Sequence, residues 1–360
     1  MSKKAIIAMS GGVDSSVAAL LTKEEGYECI GATMQLFHNE DIGISRAKTC
    51  CSLDDINDAR QVANTLGIPY YVFNFTENFK EKVIDKFVSC YENGCTPNPC
   101  IDCNRFLKFD KLFNRMCEIG YDYVVTGHYA AIEYNKKSNR YILKKAADKN
   151  KDQSYVLYSM TQNQLAHTLF PMGNLNKEQA RIIAESHGFI NAKKHDSQDL
   201  CFVPNGRYID FIKKYTNKEY KSGNFIDKKG NVLGSHNGII GYTIGQRKGL
   251  GVQSQCPLYV TDILADTNEI VLGNEEDLLS PVLYAKDFNW ILYDNPPKKF
   301  RAKAKIRYRQ HEQDATVFVL NNNYVRIEFD LPQRAVTKGQ AVVLYDGDTV
   351  IGGGEICKQP

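Results

Sequence analysis

One short segment near the start of the chain restricts its fold more than any other feature. The apolar residues 5–8 predict a buried strand, and Ser-Gly-Gly-Val-Asp-Ser-Ser follows at residues 10–16. The two glycines permit a tight turn with inward-pointing N–H groups. The apolar run 17–21 predicts a helix directly after the turn, and the positive end of its dipole adds to those N–H groups. This order predicts a phosphate-binding site, and the simpler alternative is a glycine turn capped by Ser and Asp.

The residues of this turn are candidates for holding a nucleotide. We expect the backbone N–H groups and the hydroxyls, including that of Ser16, to bind phosphate, and Asp14 to hold a magnesium ion. No Lys follows the glycines, so the turn is not the common nucleotide loop G-x-x-x-x-G-K-S/T, and it lacks the G-x-G-x-x-G of dinucleotide folds. The candidate nucleotide contacts in the turn are Ala8, Met9, Ser10, Gly11, Gly12, Val13, Asp14 and Ser15.

Strands and helices alternate over the first 130 residues, which predicts a doubly wound parallel α/β sheet. The candidate strands are residues 4–9, 29–37, 70–75 and 123–126, and a helix is predicted over 77–91. Ligands of such sheets bind at the carboxyl ends of the strands. The turn at residues 10–16, Met34 and the pair Gly127-His128 all lie at such ends.

The pattern changes near residue 205, where turn residues separate short β-like runs. Runs at 225–227, 238–243, 259–264, 270–272 and 349–356 predict strands, and no helix is predicted in this part. We therefore expect a catalytic domain over 1–204, a small β-rich domain over 205–280 and a C-terminal β-barrel over 281–360.

The cellular compartment decides which chemistry the cysteines can have. No apolar stretch is long enough to span a membrane, and we expect no secretory signal in the first residues. We therefore expect a cytoplasmic protein, in which the 11 cysteines are thiols, metal ligands or catalytic groups and not a disulfide framework. The net charge of +3 is too small to indicate nucleic-acid binding by itself.

Two segments place cysteines in chemically distinctive surroundings. Cys100 and Cys103 form a C-x-x-C pair in a loop whose prolines predict that no helix forms there. A zinc site completed by Cys90 and Cys95 is the structural alternative.

Cys201 follows Lys-Lys-His at residues 193–195, and such cations lower the pKa of a thiol that is partly exposed. The alternative for Cys201 is a buried cysteine in a short strand at residues 200–203.

These motifs resemble known enzymes. Ser-Gly-Gly-Val-Asp-Ser-Ser looks like the signature of the N-type ATP pyrophosphatases, whose fold is of the adenine nucleotide alpha hydrolase type and which cleave ATP between the α and β phosphates. The segment 96–104, Thr-Pro-Asn-Pro-Cys-Ile-Asp-Cys-Asn, resembles the catalytic loop of the tRNA-specific 2-thiouridylases. Further matches to that family follow in order at residues 126–129, 151–155, 196–202, 245–251, 308–310 and 339–340.

The resemblance implies ATP- and magnesium-dependent conversion of the wobble uridine, position 34, of the tRNAs for Lys, Glu and Gln to 2-thiouridine. It implies that Cys201 carries a persulfide and that Cys103 releases the sulfur and ends in a disulfide with Cys201. The sulfur would come from a persulfide donor such as a cysteine desulfurase or a relay protein. Met34 and Gly127 would contact the adenosine. The residues that would contact tRNA are Asn98, Pro99, Cys100, His128, Lys151, Asp152, Gln153, Tyr308, Arg309 and Gln340.

Four alternatives remain at this point. Some relatives carry Asp where this chain has Cys100, so Cys100, Cys103 and Cys201 could instead hold a four-iron–four-sulfur (4Fe-4S) cluster that carries the sulfur. The chain could be an ATP pyrophosphatase acting on a small molecule, or a noncatalytic tRNA-binding protein. His128 could be an ordinary core histidine.

A basic segment supports RNA binding without reference to any family. Cations at 301, 303, 305, 307 and 309 alternate with Ala302, Ala304, Ile306 and Tyr308, and no acid interrupts them. On a strand the five cations would share one face. We expect that face to bind a phosphate backbone. The alternative is a solvated strand face.

Overall fold

The computed structural model describes residues 2–37, 53–195, 200–203, 206–321 and 324–360, and its contacts divide the chain into two units. The first unit comprises residues 1–83, 100–208 and 348–350. The second unit comprises residues 84–99, 209–347 and 351–360. Residues 84–99, which the sequence suggested for the catalytic domain, therefore make their contacts within the second unit. The expected boundary between residues 204 and 205 lies outside the described residues.

The strands and helices of both units have the following bounds. The strands are β1 Lys4–Ala8, β2 Glu28–Gln35, β3 Tyr70–Asn74, β4 Tyr123–Thr126, β5 Ala130–Asn135, β6 Arg140–Lys145, β7 Thr168–Leu169, β8 Gly223–Ile226, β9 Val232–His236, β10 Tyr259–Leu264, β11 Glu269–Gly273, β12 Leu279–Trp290, β13 Lys299–Lys305, β14 Gln313–Asn321, β15 Tyr324–Arg334, β16 Ala341–Asp346 and β17 Thr349–Cys357. The α-helices are α1 Val13–Glu24, α2 Leu53–Leu66, α3 Thr76–Phe79, α4 Lys86–Glu92, α5 Pro99–Cys103, α6 Leu112–Glu118, α7 Gln162–Ala166, α8 Lys177–Ser186 and α9 Tyr208–Thr216.

The first unit is built on a parallel sheet with the strand order β3-β2-β1-β4-β7. The predicted strands are confirmed, with ends that differ by one or two residues. β1 and β4 are continuous apolar runs because both faces of a parallel sheet are covered. Strand order reverses between β1 and β4, and ligands of such sheets bind at this point.

The helices before β4 and one hairpin after it differ from the sequence-based expectation. The predicted helix 77–91 is a helical run from Thr76 to Glu92 whose central part, Lys80–Asp85, is π-helical. A second π-helical segment, Asn104–Lys111, joins α5 to α6. β5 and β6 form an antiparallel hairpin after β4, which the alternation of strands and helices did not predict.

The second unit contains a four-stranded sheet in the order β10-β11-β8-β9 among its described residues. Two predictions for this part are wrong. Residues 238–243 do not form a strand, because Gly238 has φ +100° and a 3₁₀ turn follows at Ile239–Gly241. Residues 208–216, where no helix was expected, form α9, whose Phe211 and Ile212 are buried.

The C-terminal part of the second unit is a closed antiparallel barrel. Its described strands run in the order β12-β15-β14-β13-β16-β17, and pairing of β12 with β17 closes it. Alternate residues of these strands point inward, among them Val317, Ile327 and Leu344. The expected fold class, a doubly wound α/β sheet followed by two β-rich parts of which the last is a barrel, is confirmed. No helix among the described residues is long and apolar enough to cross a membrane.

Candidate active site

The turn between β1 and α1 has the geometry that its glycines predict. Gly11 has φ +73°, and a Cβ at this position would run into the backbone carbonyl of Asp55. The Ser15 hydroxyl donates to the Gly12 carbonyl at 2.9 Å and accepts from the Ser10 N–H at 3.2 Å. These bonds fix the turn, and the Ser10 side chain remains exposed at the N-terminus of α1. The arrangement suits an anion.

Two of the candidate residues use their side chain or backbone for bonds within the fold. Ser16 is fully buried, donates to the Gly12 carbonyl at 3.1 Å and accepts from Asn191 Nδ2 at 2.9 Å. The expectation that its hydroxyl faces phosphate is therefore not met. Met9 bonds through its N–H to the Ala32 carbonyl at 2.9 Å and through its carbonyl to the Thr33 hydroxyl at 2.6 Å. Its backbone thus joins β1 to β2.

Asp14 is held by two side chains that sequence reasoning did not assign to the site. Lys177 Nζ donates to both carboxylate oxygens at 2.8 Å, and the Tyr129 hydroxyl donates to Oδ1 at 2.8 Å. Lys177 is the first residue of α8, and its side chain is only 15% exposed. A largely buried ammonium group therefore stands at the phosphate turn, although no Lys follows the glycines in sequence.

Gly127 lies against the backbone of the same turn. A Cβ at this position would lie 2.7 Å from Asp14 C and from Ser15 N, so only glycine allows β4 to end so close to α1. Met34 lies near the carboxyl end of β2 and is half-buried. The carboxyl ends of β1, β2 and β4 thus bring the candidate nucleotide residues to one edge of the sheet, as the sequence predicted.

His128 is buried in the first unit, a position that favours the core-histidine alternative. Its Nδ1 lies 2.7 Å from the Thr126 hydroxyl, and its ring contacts Phe109 and Phe170. Burial and the neighbouring Lys108 ammonium hold the pKa of His128 well below its usual value, so the ring is neutral. A neutral buried ring offers no charge to a phosphate.

The segment 151–153 forms hydrogen bonds that hold Tyr129 and its neighbours in place. Gln153 accepts from the Tyr129 N–H at 2.9 Å, and its own N–H donates to the Tyr129 carbonyl at 2.8 Å. Asp152 is buried and accepts from the Ala146 and Ser154 N–H groups. Because Tyr129 in turn holds Asp14, this segment orients the acid of the turn. Lys151 is half-exposed.

The segment that leads to Cys201 is anchored on the phosphate turn. Asn191 Nδ2 and Lys194 Nζ donate to the Gly11 carbonyl at 3.0 and 3.2 Å. Lys194 also pairs with Asp55 and Asp58, each at 2.6 Å. Burial lowers the pKa of Lys194, but the hydrogen bonds to the two aspartates raise it by more. Lys194, one of the three cations expected to lower the pKa of Cys201, is therefore paired with these carboxylates.

Cys100 and Cys103 lie on α5, which corrects the expectation that prolines prevent a helix there. Pro99 is the first residue of α5, and proline is favoured at that position because its N–H would have no helical partner. Cys100 is exposed and Cys103 is half-buried. Asn104, the next residue, is buried and donates to the Val156 carbonyl at 3.1 Å, which fixes this end of the helix.

Cys201 lies in a turn, and the described residues 200–203 do not form the short strand considered as an alternative. The thiol is partly exposed. The neighbouring Phe202 is 1% exposed and packs edge-on against Phe79 at 5.6 Å between ring centroids. This contact anchors Cys201 in the same unit as Cys103 and the phosphate turn. Residues 196–199 of the matching motif lie outside the described residues.

The side chains that could act as metal ligands determine which metal ions the site can hold. Among the described residues no three His, Cys, Asp or Glu side chains are grouped so that they could hold a metal ion. Cys100, Cys103 and Cys201 therefore do not form a ligand set for a 4Fe-4S cluster, and neither do Cys90, Cys95, Cys100 and Cys103 for zinc. Magnesium is different, because one carboxylate and the oxygens of a bound nucleotide are enough for it. Asp14 remains the candidate for that carboxylate, and its oxygens also accept from Lys177 and Tyr129.

The basic segment of the second unit differs from its prediction. β13 ends at Lys305, so Arg307 and Arg309 do not lie on the strand face. Arg301 forms two hydrogen bonds with Asp330 of β15, and Lys303 pairs with Asp314 of β14 at 3.3 Å. The five-cation face is therefore wrong, because acids on the neighbouring strands meet two of its members.

The other residues expected to contact tRNA range from exposed to buried. Tyr308 and Arg309 are exposed beyond the end of β13. The Gln340 amide instead donates to the Thr96 and Pro97 carbonyls at 2.9 and 3.1 Å. Gln340 thus holds residues 96 and 97, just before α5 begins at Pro99. Asn98 is half-buried and Pro99 is buried.

The phosphate turn, the buried Lys177 and the order of the parallel strands define the first unit as an ATP-binding domain of the adenine nucleotide alpha hydrolase type. The family models agree with this class. The model described as "tRNA methyl transferase HUP domain" matches residues 3–205. "tRNA methyl transferase PRC-barrel domain" matches 209–274, and "Aminomethyltransferase beta-barrel domain" matches 280–356.

Relatives along the whole chain are more specific. A "tRNA-specific 2-thiouridylase MnmA" of Acetivibrio thermocellus is 52% identical over 98% of this chain and 99% of its own length. A protein of the same name from Clostridioides difficile is 51% identical over 99% of each chain. The chain belongs to the tRNA-specific 2-thiouridylase family and is therefore a tRNA-uridine 2-sulfurtransferase.

Proposed function

We propose that this protein converts the wobble uridine, position 34, of the tRNAs for Lys, Glu and Gln to 2-thiouridine, and that it consumes ATP to do so. The observation that supports this most is the content of the first unit. That unit holds the phosphate turn, α5 with the half-buried Cys103, and the anchored turn with Cys201. The two alternative functions, a small-molecule ATP pyrophosphatase and a noncatalytic tRNA-binding protein, do not require this pair of cysteines.

In the first step the uridine C2 oxygen attacks the α-phosphorus of ATP, the bond to the β-phosphate breaks and pyrophosphate leaves. The N-terminus of α1 and the Lys177 ammonium are placed to stabilise negative charge on the phosphates. Magnesium would neutralise further phosphate charge, with Asp14 as its carboxylate. Tyr129 and the segment behind it keep Asp14 oriented.

In the second step the terminal sulfur of a Cys201 persulfide attacks C2, and AMP leaves. The Cys103 thiolate then attacks Cys201 Sγ, the sulfur–sulfur bond to the product breaks, and 2-thiouridine departs. The two cysteines end as a disulfide, which a reductant must open before the next cycle. The persulfide donor, a cysteine desulfurase or a relay protein, recharges Cys201. Partial exposure of Cys103 and Cys201 is compatible with both exchanges.

The substrate must present its base outside a stack, and an anticodon-loop uridine already does so. Asn98, Pro99 and Cys100 remain our candidates for contact with that base. Tyr308 and Arg309, exposed in the second unit, are candidates for the tRNA backbone.

The two steps can be tested separately. We expect Cys103→Ser and Cys201→Ser to abolish formation of 2-thiouridine while tRNA-dependent release of pyrophosphate from ATP continues. Cys256→Ser, at an exposed thiol of the second unit, is the matched control and is expected to retain both activities. Retained thiolation in either of the first two variants would refute the persulfide–disulfide scheme.

A further inference from the structure

A second pair of cysteines meets at the end of α4. The chain leaves this helix through Gly94, which has φ +66°. The Gly94 N–H donates to the Tyr91 carbonyl at 3.2 Å, and the Cys95 N–H donates to the Cys90 carbonyl at 2.8 Å. These two bonds define a Schellman motif, in which the residues at the positions of Cys90 and Cys95 commonly touch.

Both of those positions are cysteine in this chain, and a hydrogen bond between the two thiols is the largest cause of the pKa shift of each. The 2.8 Å bond from the Cys95 N–H to the Cys90 carbonyl joins the two residues directly, and a disulfide requires Cα atoms ~4.4–6.8 Å apart. Both cysteines are half-buried. Within the described part of the chain, neither belongs to a group of three or more side chains that could hold a metal ion. The helix end alone therefore places two sulfurs together.

The packing on the other side of the pair is equally close. A Cβ at Gly339 would lie 2.9 Å from Cys90 Sγ and 3.3 Å from Cys95 Cβ. Gly339 has φ +83°, and its N–H donates to the Ile356 carbonyl at 3.0 Å. The backbone of Gly339 thus forms one wall of the thiol pair and keeps the two sulfurs on one side.

The charges around the pair favour one thiolate. A hydrogen bond from Cys90 lowers the pKa of Cys95 to about 7, burial opposes this shift, and the Lys338 and Lys286 ammonium groups add to it while Glu355 opposes it. The hydrogen bond and burial raise the pKa of Cys90. Cys95 is thus the nucleophile of the pair, and Cys90 is the thiol that follows it.

We propose that Cys90 and Cys95 form a reactive dithiol that a low-molecular-weight disulfide, such as glutathione disulfide, oxidises to an intramolecular disulfide. The Cys95 thiolate attacks one sulfur of the small disulfide, whose S–S bond breaks and releases one thiol. Cys90 then gives up its proton and attacks Cys95 Sγ, which releases the second thiol. The two protein thiols are oxidised by two electrons, and the small disulfide is reduced to two thiols. This site is separate from Cys103 and Cys201 and does not depend on the proposed function.

The first measurement is the pH dependence of alkylation in the reduced full-length protein. We expect the rate at Cys95 to rise with a midpoint near pH 7, whereas an ordinary thiol has a pKa of about 8.5. Cys256, which is exposed, serves as the internal comparison. Cys90→Ala, which removes the hydrogen-bond donor, should move the Cys95 midpoint upward, and Cys117→Ser should leave it unchanged. Equal midpoints for Cys95 and Cys256 in the wild-type protein would overturn the proposal.

The second measurement identifies the product of oxidation. Chymotrypsin cleaves after Tyr91, between the two cysteines, so a disulfide would join two peptides. In a full-length Cys100→Ser/Cys103→Ser variant, Cys95 is the only cysteine of the second peptide, which makes the assignment unambiguous. Glutathione disulfide is expected to give this linked pair, and in a variant that also carries Cys90→Ser it should leave a stable glutathione adduct on Cys95. A stable adduct on Cys95 while Cys90 is present would overturn the proposal.

Discussion

Gly127 offers a direct test of how the end of β4 shapes the nucleotide site. In a Gly127→Ala variant the new methyl group would lie 2.7 Å from Asp14 C and Ser15 N, whereas ordinary contacts begin at 3.4 Å. The neighbours are backbone atoms and cannot rotate away, so the two segments must separate by roughly 0.7 Å, the difference between those distances.

Overpacking of this kind costs about 1–3 kcal/mol. Because the displaced atoms are the start of α1, we expect much of this energy to appear as weaker ATP binding. A loss of about 1–3 kcal/mol corresponds to a roughly 5- to 150-fold higher Kd for ATP.

The assay is the Kd for ATP by calorimetry, with the free energy of unfolding measured in parallel. Gly188→Ala is the matched control. Gly188 follows α8 with φ +66°, so alanine is strained there, but a Cβ would meet nothing within 4 Å. We expect this control to lose stability and keep its ATP affinity. A folded Gly127→Ala protein with wild-type affinity for ATP would refute the reasoning.

Three further predictions concern other parts of the structure. His128 stays neutral in the folded protein, while the unfolded chain takes up a proton below pH ~6.5. Its contribution to stability is therefore complete above that pH and falls by up to ~1.4 kcal/mol per pH unit below it. Between pH 7.5 and 5.5, the free energy of unfolding measured in urea should change less for His128→Asn than for the wild-type protein. Asn191→Ala removes two buried hydrogen bonds to the phosphate turn, at the Gly11 carbonyl and the Ser16 hydroxyl, and should lower the free energy of unfolding by about 1–3 kcal/mol, measured by denaturant titration; an unchanged value would contradict this role. Asp330→Asn frees Arg301 and should strengthen tRNA binding and steepen its salt dependence, measured by filter binding, whereas a salt slope equal to the wild type would show that β13 does not meet the phosphate backbone.

The elements that the sequence predicted well are those whose signals are local. β1, β2, β3 and β4 are short apolar runs bounded by turn residues, and their periodicity alone identifies them. The phosphate turn is also local, since its glycines, acid and hydroxyls are contiguous. α9 had a local signal as well, because Tyr208, Phe211, Ile212 and Tyr215 follow helical spacing, but the short turn-rich runs around it favoured strands.

The features that the sequence could not predict depend on distant partners. Lys177 reaches Asp14 across 163 residues, and Asn191 reaches Gly11 across 180. The basic run at 301–309 looked unopposed because its acids come from other strands, Asp314 and Asp330. Pairing in a barrel is set by register between strands, which a single segment does not contain.

The Schellman motif at the end of α4 could be predicted from the sequence only in part. Gly94 marks the helix end in the sequence, and the spacing of Cys90 and Cys95 around it is a local pattern. Their contact could therefore have been predicted. The lowered pKa of Cys95 could not, because Lys338 and Lys286 come from remote segments.

The central claim is tested most directly by nucleoside mass spectrometry on unmodified tRNA for Glu. The tRNA is incubated anaerobically with cluster-free protein, ATP, magnesium and a persulfide donor. The account predicts 2-thiouridine at position 34, dependent on ATP and absent with Cys103→Ser or Cys201→Ser. Product that forms only after reconstitution of an iron–sulfur cluster would contradict the persulfide route, and no product in either form would contradict the proposed function itself.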